Sequence, residues 1–179
     1  MSQVNDVDVK DAFPGLVADY QDALYRFGLR LTANSHDAEE IAQEAFVRAY
    51  RWLAVHGLDS VELKPWLYRV ALNAFRNRAR RPRPATTSLD DALELPDRDD
   101  LQPAQRAECT ETRAELARLL ARLPLRYREA VVLRHVEDLT YADMAAILRR
   151  PEGTIKSDVH RGLGLLRAAL APLREEVRV

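Results

Sequence analysis

The stretch LTYADMAAILRRPEGTIKSDVHRGLGLL, Leu139 to Leu166, admits few folds. Thr140 can cap a helix, with Asp143 three residues on completing a capping-box-like pair. Tyr141, Met144, Ala145 and Leu148 then recur at helical spacing. Arg149-Arg150-Pro151 interrupts: a proline cannot extend the helix before it but suits the first turn of the next. In the second segment Ile155, Val159, Leu163, Leu166 and Leu170 form one apolar stripe, and Thr154, Lys156, Ser157, His160 and Arg161 lie on the other face. Ala145 is small enough to let two helices cross closely. The layout predicts a helix-turn-helix whose second helix suits a DNA major groove. There Lys and Arg meet phosphates while Thr, Ser, His and Lys reach base edges. An ordinary helical hairpin with a solvated polar face would show the same periodicity.

The rest of the chain must be compatible with that unit. Its 179 residues suffice for one mid-sized domain or two small ones, and a hydrophobic content of 47% supports true cores. With 27 basic and 28 acidic side chains, a nucleic-acid binder must segregate its charge. The single cysteine, Cys109, excludes an internal disulfide framework and fits a reducing cytosol. The polar, acidic start MSQVNDVDVKDAF does not read as a signal peptide. No apolar run approaches the ~20 residues needed to span a bilayer.

Strand signals are nearly absent, so the expected fold is all-α. From Ala12 to Leu31, the residues Phe13, Leu16, Val17, Tyr20, Leu24, Phe27 and Leu31 recur at three and four. A break at Thr32–Ser35 follows, with Asn34 or Ser35 as a cap. The next helix, about His36 to Leu53, turns Ala38, Ile41, Ala42, Ala45, Phe46 and Ala49 inward. Asp37, Glu39 and Glu40 suit the positive end of its dipole. Glu44 lies too far along for that, and an acidic and amide surface around Glu40, Gln43 and Glu44 could dock a basic partner.

After a loop containing Gly57, Pro65 opens PWLYRVALNAFRNRARR. Trp66, Leu67, Val70, Ala71, Ala74 and Phe75 are its apolar positions. Lys64, Arg69, Arg76, Arg78, Arg80, Arg81 and Arg83 accompany it without one acid. Aromatics at one end and arginines at the other suit a nucleic-acid backbone with stackable bases; a basic run that merely ends a helix is the alternative. Between Pro82 and Pro103, prolines alternate with Asp90, Asp91, Glu94, Asp97, Asp99 and Asp100. This composition predicts a flexible acidic linker and a domain boundary. Beyond it Leu116, Leu119, Leu120 and Leu123 mark a helix ended by Pro124, and Arg126–Glu137 marks the next.

Catalytic signatures are missing. There is no Gly-rich phosphate loop. His36, His56, His135 and His160 form no HxxxH pair, the one HxxE spacing, His36 to Glu39, falls at a helix start where capping accounts for it, and Cys109 has no partner at a ligand spacing. The expectation is no catalytic residue, no metal and no cofactor.

DAEEIAQEAFVRAYRWL followed by KPWLYRVALNAFRNRARR resembles region 2 of the extracytoplasmic-function (ECF) group of bacterial sigma factors. LPLRYREAVVLRHVEDLTYADMAAILRRPEGTIKSDVHRGLGLLR resembles their region 4. The resemblance spans about residues 10–172. It implies two small helical domains, a region 2 bundle over 10–83 and a region 4 helix-turn-helix over 104–172, joined by a linker over 84–103. It implies a cytoplasmic, non-enzymatic promoter-specificity subunit. Its partners would be core RNA polymerase, through the largest-subunit clamp and the flap, and promoter DNA, both duplex and melted, with an anti-sigma factor as a further candidate. Asp37, Glu40, Gln43 and Glu44 fall in the family's core-binding helix. Trp66, Arg69, Asn73, Arg76 and Arg80 fall where the family engages the minus-10 element and captures an extruded base, with pocket residues within His56–Leu63. Pro151, Gly153, Thr154, Lys156, Ser157, His160 and Arg161, together with Ile155, match the segment that reads the minus-35 duplex.

Leu72 stands where the family usually has the arginine of an Ala-Arg-Asn run, and four positions of the helix-turn-helix depart from the family pattern. Arg149 stands where a turn glycine is usual. Asp158 replaces an arginine, which would weaken phosphate binding or accept from a cytosine amino group. Gly162 and Gly164 lower helix propensity. A stand-alone operator-binding regulator is the alternative, although it leaves the Pro65–Arg83 and Asp37–Glu44 surfaces unexplained. An adaptor that binds polymerase without reading DNA would draw support from Arg149 and Asp158.

Overall fold

The computed structural model describes the backbone of residues 3–80 and 115–176, and side-chain environments over 9–80 and 115–171. The acidic stretch 84–103, Arg81, Arg83 and Cys109 lie outside the described residues. Every regular element among the described residues is helical. The chain divides into two compact units.

The first unit is built on α1 (Gln3–Thr32) as far as Leu29, α2 (Ser35–His56) and α3 (Leu63–Ala79), while Arg30–Ala33 group with the second unit. α1 starts upstream of the apolar repeat that begins at Ala12 and carries Pro14 in its interior. A proline there withholds one ladder donor, yet Val9, on the upstream side, shares a core with Leu16. Burial on both sides of the proline holds the helix through it.

Asn34 caps α2, its Oδ1 accepting from the Asp37 N–H at 2.8 Å. α2 runs three residues past Leu53 and ends at Gly57, whose φ of 81° only glycine adopts without strain. A short 3-10 turn, Leu58–Ser60, leads to α3. α3 begins two residues before Pro65, so the proline sits in the first turn, where its missing N–H costs no ladder bond.

The core of this unit sets aromatic rings among leucines and alanines. Phe13 meets Tyr50 edge-on at 5.1 Å and Phe46 at 6.3 Å, and Phe27 meets Tyr68 at 5.1 Å. Gly28 lets α1 and α2 touch: a Cβ there would lie 3.0 Å from the Ala38 Cα.

The second unit holds a helix described over 115–122 (α4), then α5 (Leu125–His135), α6 (Tyr141–Leu148) and α7 (Glu152–Glu176). Its core is aliphatic: Leu120, Val132, Leu133, Met144 and Ile155 are buried. The half-buried guanidinium of Arg128 donates to the carbonyls of Ala121 and, at 3.0 Å, Leu123, so it closes the end of α4. Burial holds its pKa below the usual arginine range, against the raising effect of Glu129. Asp138 adopts a left-handed φ of 52°, and the Leu139 N–H turns back to the Leu133 carbonyl at 3.1 Å, which ends α5 sharply. Among the described residues, no helix is long and apolar enough to cross a membrane.

Candidate nucleic-acid interface

The expected helix-turn-helix is present as α6, a tight turn and α7. Its entrance is the anticipated capping box. Thr140 Oγ1 accepts from the Asp143 N–H at 3.1 Å, and Asp143 Oδ2 accepts from the Thr140 N–H at 3.2 Å. Arg149, at the turn, adopts φ 54° and ψ 47°, the left-handed conformation that a glycine would take without cost. Its N–H closes the helix on the Ala145 carbonyl at 2.9 Å. Pro151 is not inside α7 but one residue before it, and its carbonyl receives the Ile155 N–H at 3.1 Å.

α7 separates its faces cleanly. Ile155, Val159 and Leu166 are buried, with Leu163 and Leu170 half-buried. Pro151, Gly153, Lys156, Ser157, His160 and Arg161 are exposed, and Thr154 is half-buried beside them. The Ser157 hydroxyl donates to the Gly153 carbonyl at 3.0 Å. Lys156 lies 3.9 Å from Glu152 and over the Tyr141 ring, 5.3 Å from its centroid. Arg134 approaches the same ring at 5.0 Å. A cation held over an aromatic face loses part of its orientational freedom before any ligand arrives.

Asp158 corrects the sequence reading. It neither faces phosphate nor is available to a base edge: it is 0% exposed, inside the stripe of Ile155 and Val159. Its Oδ1 accepts from Arg126 Nε at 2.7 Å and its Oδ2 from Arg150 Nη1 at 2.8 Å. The second Nη of Arg150 reaches Glu129 Oε2 at 2.7 Å, and Glu129 is also buried. A carboxylate taken from water costs several kcal/mol unless it is paired and hydrogen-bonded, as this one is. Burial of Asp158 also removes one of the supports for the adaptor reading.

Gly162 is a second correction. Its low helix propensity is real, but a Cβ there would stand 2.5 Å from Val131 Cγ2 and 3.3 Å from Tyr127 Cβ. Close approach of α7 to α5 requires the glycine. Gly164, two residues on, faces open space.

In the first unit the basic helix α3 presents Arg69, Asn73, Arg76 and Arg80 at spacings of four, three and four, so they share one side. Asn73 and Arg80 are exposed; Arg69 and Arg76 are half-buried. Trp66 continues the same row but is only 7% exposed, tilted against Trp52 with ring centroids 4.9 Å apart. It belongs to the core, because α2 supplies an aromatic wall that only the fold brings to it. The aromatic pair at the surface is one that sequence reasoning missed. Trp52 stacks on exposed His56 at 4.1 Å, and His56 Nδ1 lies 2.8 Å from the Trp52 carbonyl. Its signal, an aromatic four residues before a histidine on one helix, was present in the sequence.

The acidic face of α2 is likewise divided. Asp37 is buried and accepts from Arg78 Nε at 2.9 Å and Nη2 at 2.6 Å. It ties α2 to α3 rather than facing a partner. Glu40 also pairs with Arg78 and lies 3.1 Å from His36, while Glu44 pairs with Arg48. Glu40 and Glu44 remain partly exposed, and Gln43 is exposed between them.

Two family models match the chain: Sigma-70 region 2 over residues 16–84 and Sigma-70, region 4 over residues 113–166. The ECF RNA polymerase sigma factor SigW of Bacillus subtilis is 32% identical over 176 residues, which covers 92% of this chain and 91% of that one. The RNA polymerase sigma-H factor of Pseudomonas aeruginosa is 35% identical over 176 residues, covering 93% and 90%. The fold also resembles a solved sigma factor, RpoE in complex with the anti-sigma factor NepR from Bartonella quintana. There the TM-score is 0.64 and the identity 23%, over 89% of this chain and 96% of that one. The chain belongs to the ECF group of the sigma-70 family of RNA polymerase sigma factors.

Proposed function

We propose that this sigma factor divides promoter recognition between its two units. The boundaries expected from sequence serve for this division: 10–83 for the first, 84–103 as linker and 104–172 for the second. The exposed face of α7, with Pro151, Gly153, Thr154, Lys156, Ser157, His160 and Arg161, reads the minus-35 duplex in the major groove. Arg69, Asn73, Arg76 and Arg80 on α3 hold the backbone of the minus-10 strand once it separates. Splaying a base out costs a few kcal/mol, which a pocket and a backbone clamp must offset. The stacked Trp52–His56 pair beside the Gly57 turn is a platform of suitable chemistry. Glu40, Gln43 and Glu44 dock the polymerase clamp, with Asp37 and Arg78 as the brace beneath. An anti-sigma factor, the kind of partner present in the Bartonella complex, would act on this chain by covering these surfaces. The protein acts in the cytoplasm and performs no catalysis of its own.

The observation that carries this reading is the segregation of α7: its inward face fills a core while its outward face is polar and basic. Run-off transcription with purified core polymerase on genomic fragments tests it. Initiation at defined sites supports the sigma reading. Binding to closed duplex without initiation would instead make the chain a stand-alone regulator. Arg76→Ala with Arg80→Ala should lower open-complex formation and flatten its salt dependence, because fewer counterions are released. Unchanged values would remove α3 from the DNA contact.

A further inference from the structure

We propose that Asp158 and Arg150 are positioning residues that set the roll of the recognition helix on α5, and so decide which side chains of α7 reach base edges. The proposal rests on the DNA-reading role of α7 given above.

The apolar contacts of α7 cannot set this angle by themselves. Ile155, Val159 and Leu166 are held by burial, which is non-directional, and a modest roll of the helix changes their buried area little. The charged chain is directional. Arg126 and Glu129 stand one turn apart on α5, Arg150 stands in the turn, and Asp158 stands on α7. Each link is a charge-assisted bond of 2.7 or 2.8 Å. The charges alternate from Arg126 through Asp158 and Arg150 to Glu129, so the chain as a whole is neutral. Arg150 uses its two Nη groups separately, one for each carboxylate, a geometry that a lysine ammonium could not reproduce.

A roll of α7 would draw Asp158 away from both guanidiniums and leave a fully buried carboxylate without them. Gly162 meanwhile sets the distance of α7 from α5, since nothing larger fits against Val131. One residue sets the separation and the other the angle. The same chain anchors the turn directly after Arg149, whose left-handed backbone has no glycine to ease it.

The test separates angle from stability. Replacing a buried ion network with apolar groups of similar size is often neutral or stabilising. The variant Asp158→Leu, Arg150→Met, Glu129→Met should therefore remain folded by thermal unfolding. Its probe is the duplex that wild-type chain with core polymerase recovers from a random-sequence pool, measured against a scrambled duplex of equal composition. The ratio of the two affinities should fall by about tenfold, on the order of one lost base contact. The salt dependence should stay unchanged, because the phosphate contacts remain. An unchanged ratio overturns the proposal. Should the triple variant fail to fold, Asp158→Asn takes its place with the same readout on its folded fraction.

NMR of the free chain reads the angle without DNA. Cross-relaxation between the Val131 methyls and the Gly162 Hα should weaken in the variant while α7 stays helical. Its persistence together with unchanged shifts along α7 would count against the proposal. If wild-type chain recovers no preferred duplex, the DNA-reading role fails, and the NMR result still decides the angle.

Discussion

The two units solve one problem, holding a functional helix at a fixed angle, with different materials. In the first, α3 is gripped by aromatic rings: Trp52 against Trp66, and Phe27 against Tyr68. One ion pair, buried Asp37 with half-buried Arg78, joins α2 to α3 at the far end. In the second unit the core is aliphatic, and its two partly buried tyrosines, Tyr127 and Tyr141, lie beneath Arg126 and beneath Arg134 and Lys156. There a chain of four charges spans α5, the turn and α7. Ring pairs prefer particular geometries, and charge-assisted bonds are directional, whereas aliphatic burial by itself is non-directional. Buried acids therefore serve both units as braces, and the unit with the smoother core uses the longer chain of them.

Both tryptophans, Trp52 and Trp66, lie in the first unit, so intrinsic fluorescence reports on it alone while circular dichroism reports on both. The largest effect should come from Arg78→Ala, which strips Asp37 of its guanidinium. Breaking a buried pair in this way costs about 3 kcal/mol. Urea unfolding followed by fluorescence should show that loss, and adding Asp37→Leu with Arg78→Met should recover most of it. A negligible loss would mean that the rings alone hold α3. Next comes Gly162→Ala, which forces a methyl against Val131 and should cost the second unit about 2 kcal/mol. Circular dichroism should register the change as a lowered unfolding midpoint.

Arg149→Gly should move the second unit the other way. Relief of a left-handed non-glycine residue is worth about 1 kcal/mol, seen as a raised unfolding midpoint. No gain would mean that the Arg150 links already hold the turn regardless of residue type. The smallest effect belongs to Gly164→Ala, in open space on α7, with a gain of roughly 0.5–1 kcal/mol from helix propensity. Set beside Gly162→Ala, it asks whether two glycines two positions apart differ in sign.

Much of this molecule could be read from local chemistry. The repeats at three and four, the Thr140–Asp143 box and the cap at the start of α2 depend on residues within a turn or two of each other. Each therefore had the same meaning in the sequence as in the fold. The separation of α7 into an apolar and a basic face is of the same kind. What tertiary structure alone decided is the fate of polar and amphipathic residues whose partners are remote. Asp37 finds Arg78, 41 positions away, and Asp158 finds Arg126, 32 away. Trp66 finds Trp52 from another helix. An acid on a helix reads as surface until a guanidinium arrives to make burial tolerable, because the cost of dehydrating a charge is set by its partner rather than by its neighbours in the chain. Gly162 follows the same logic without charge: helix propensity is local, but the space for a methyl group belongs to Val131 on the helix opposite.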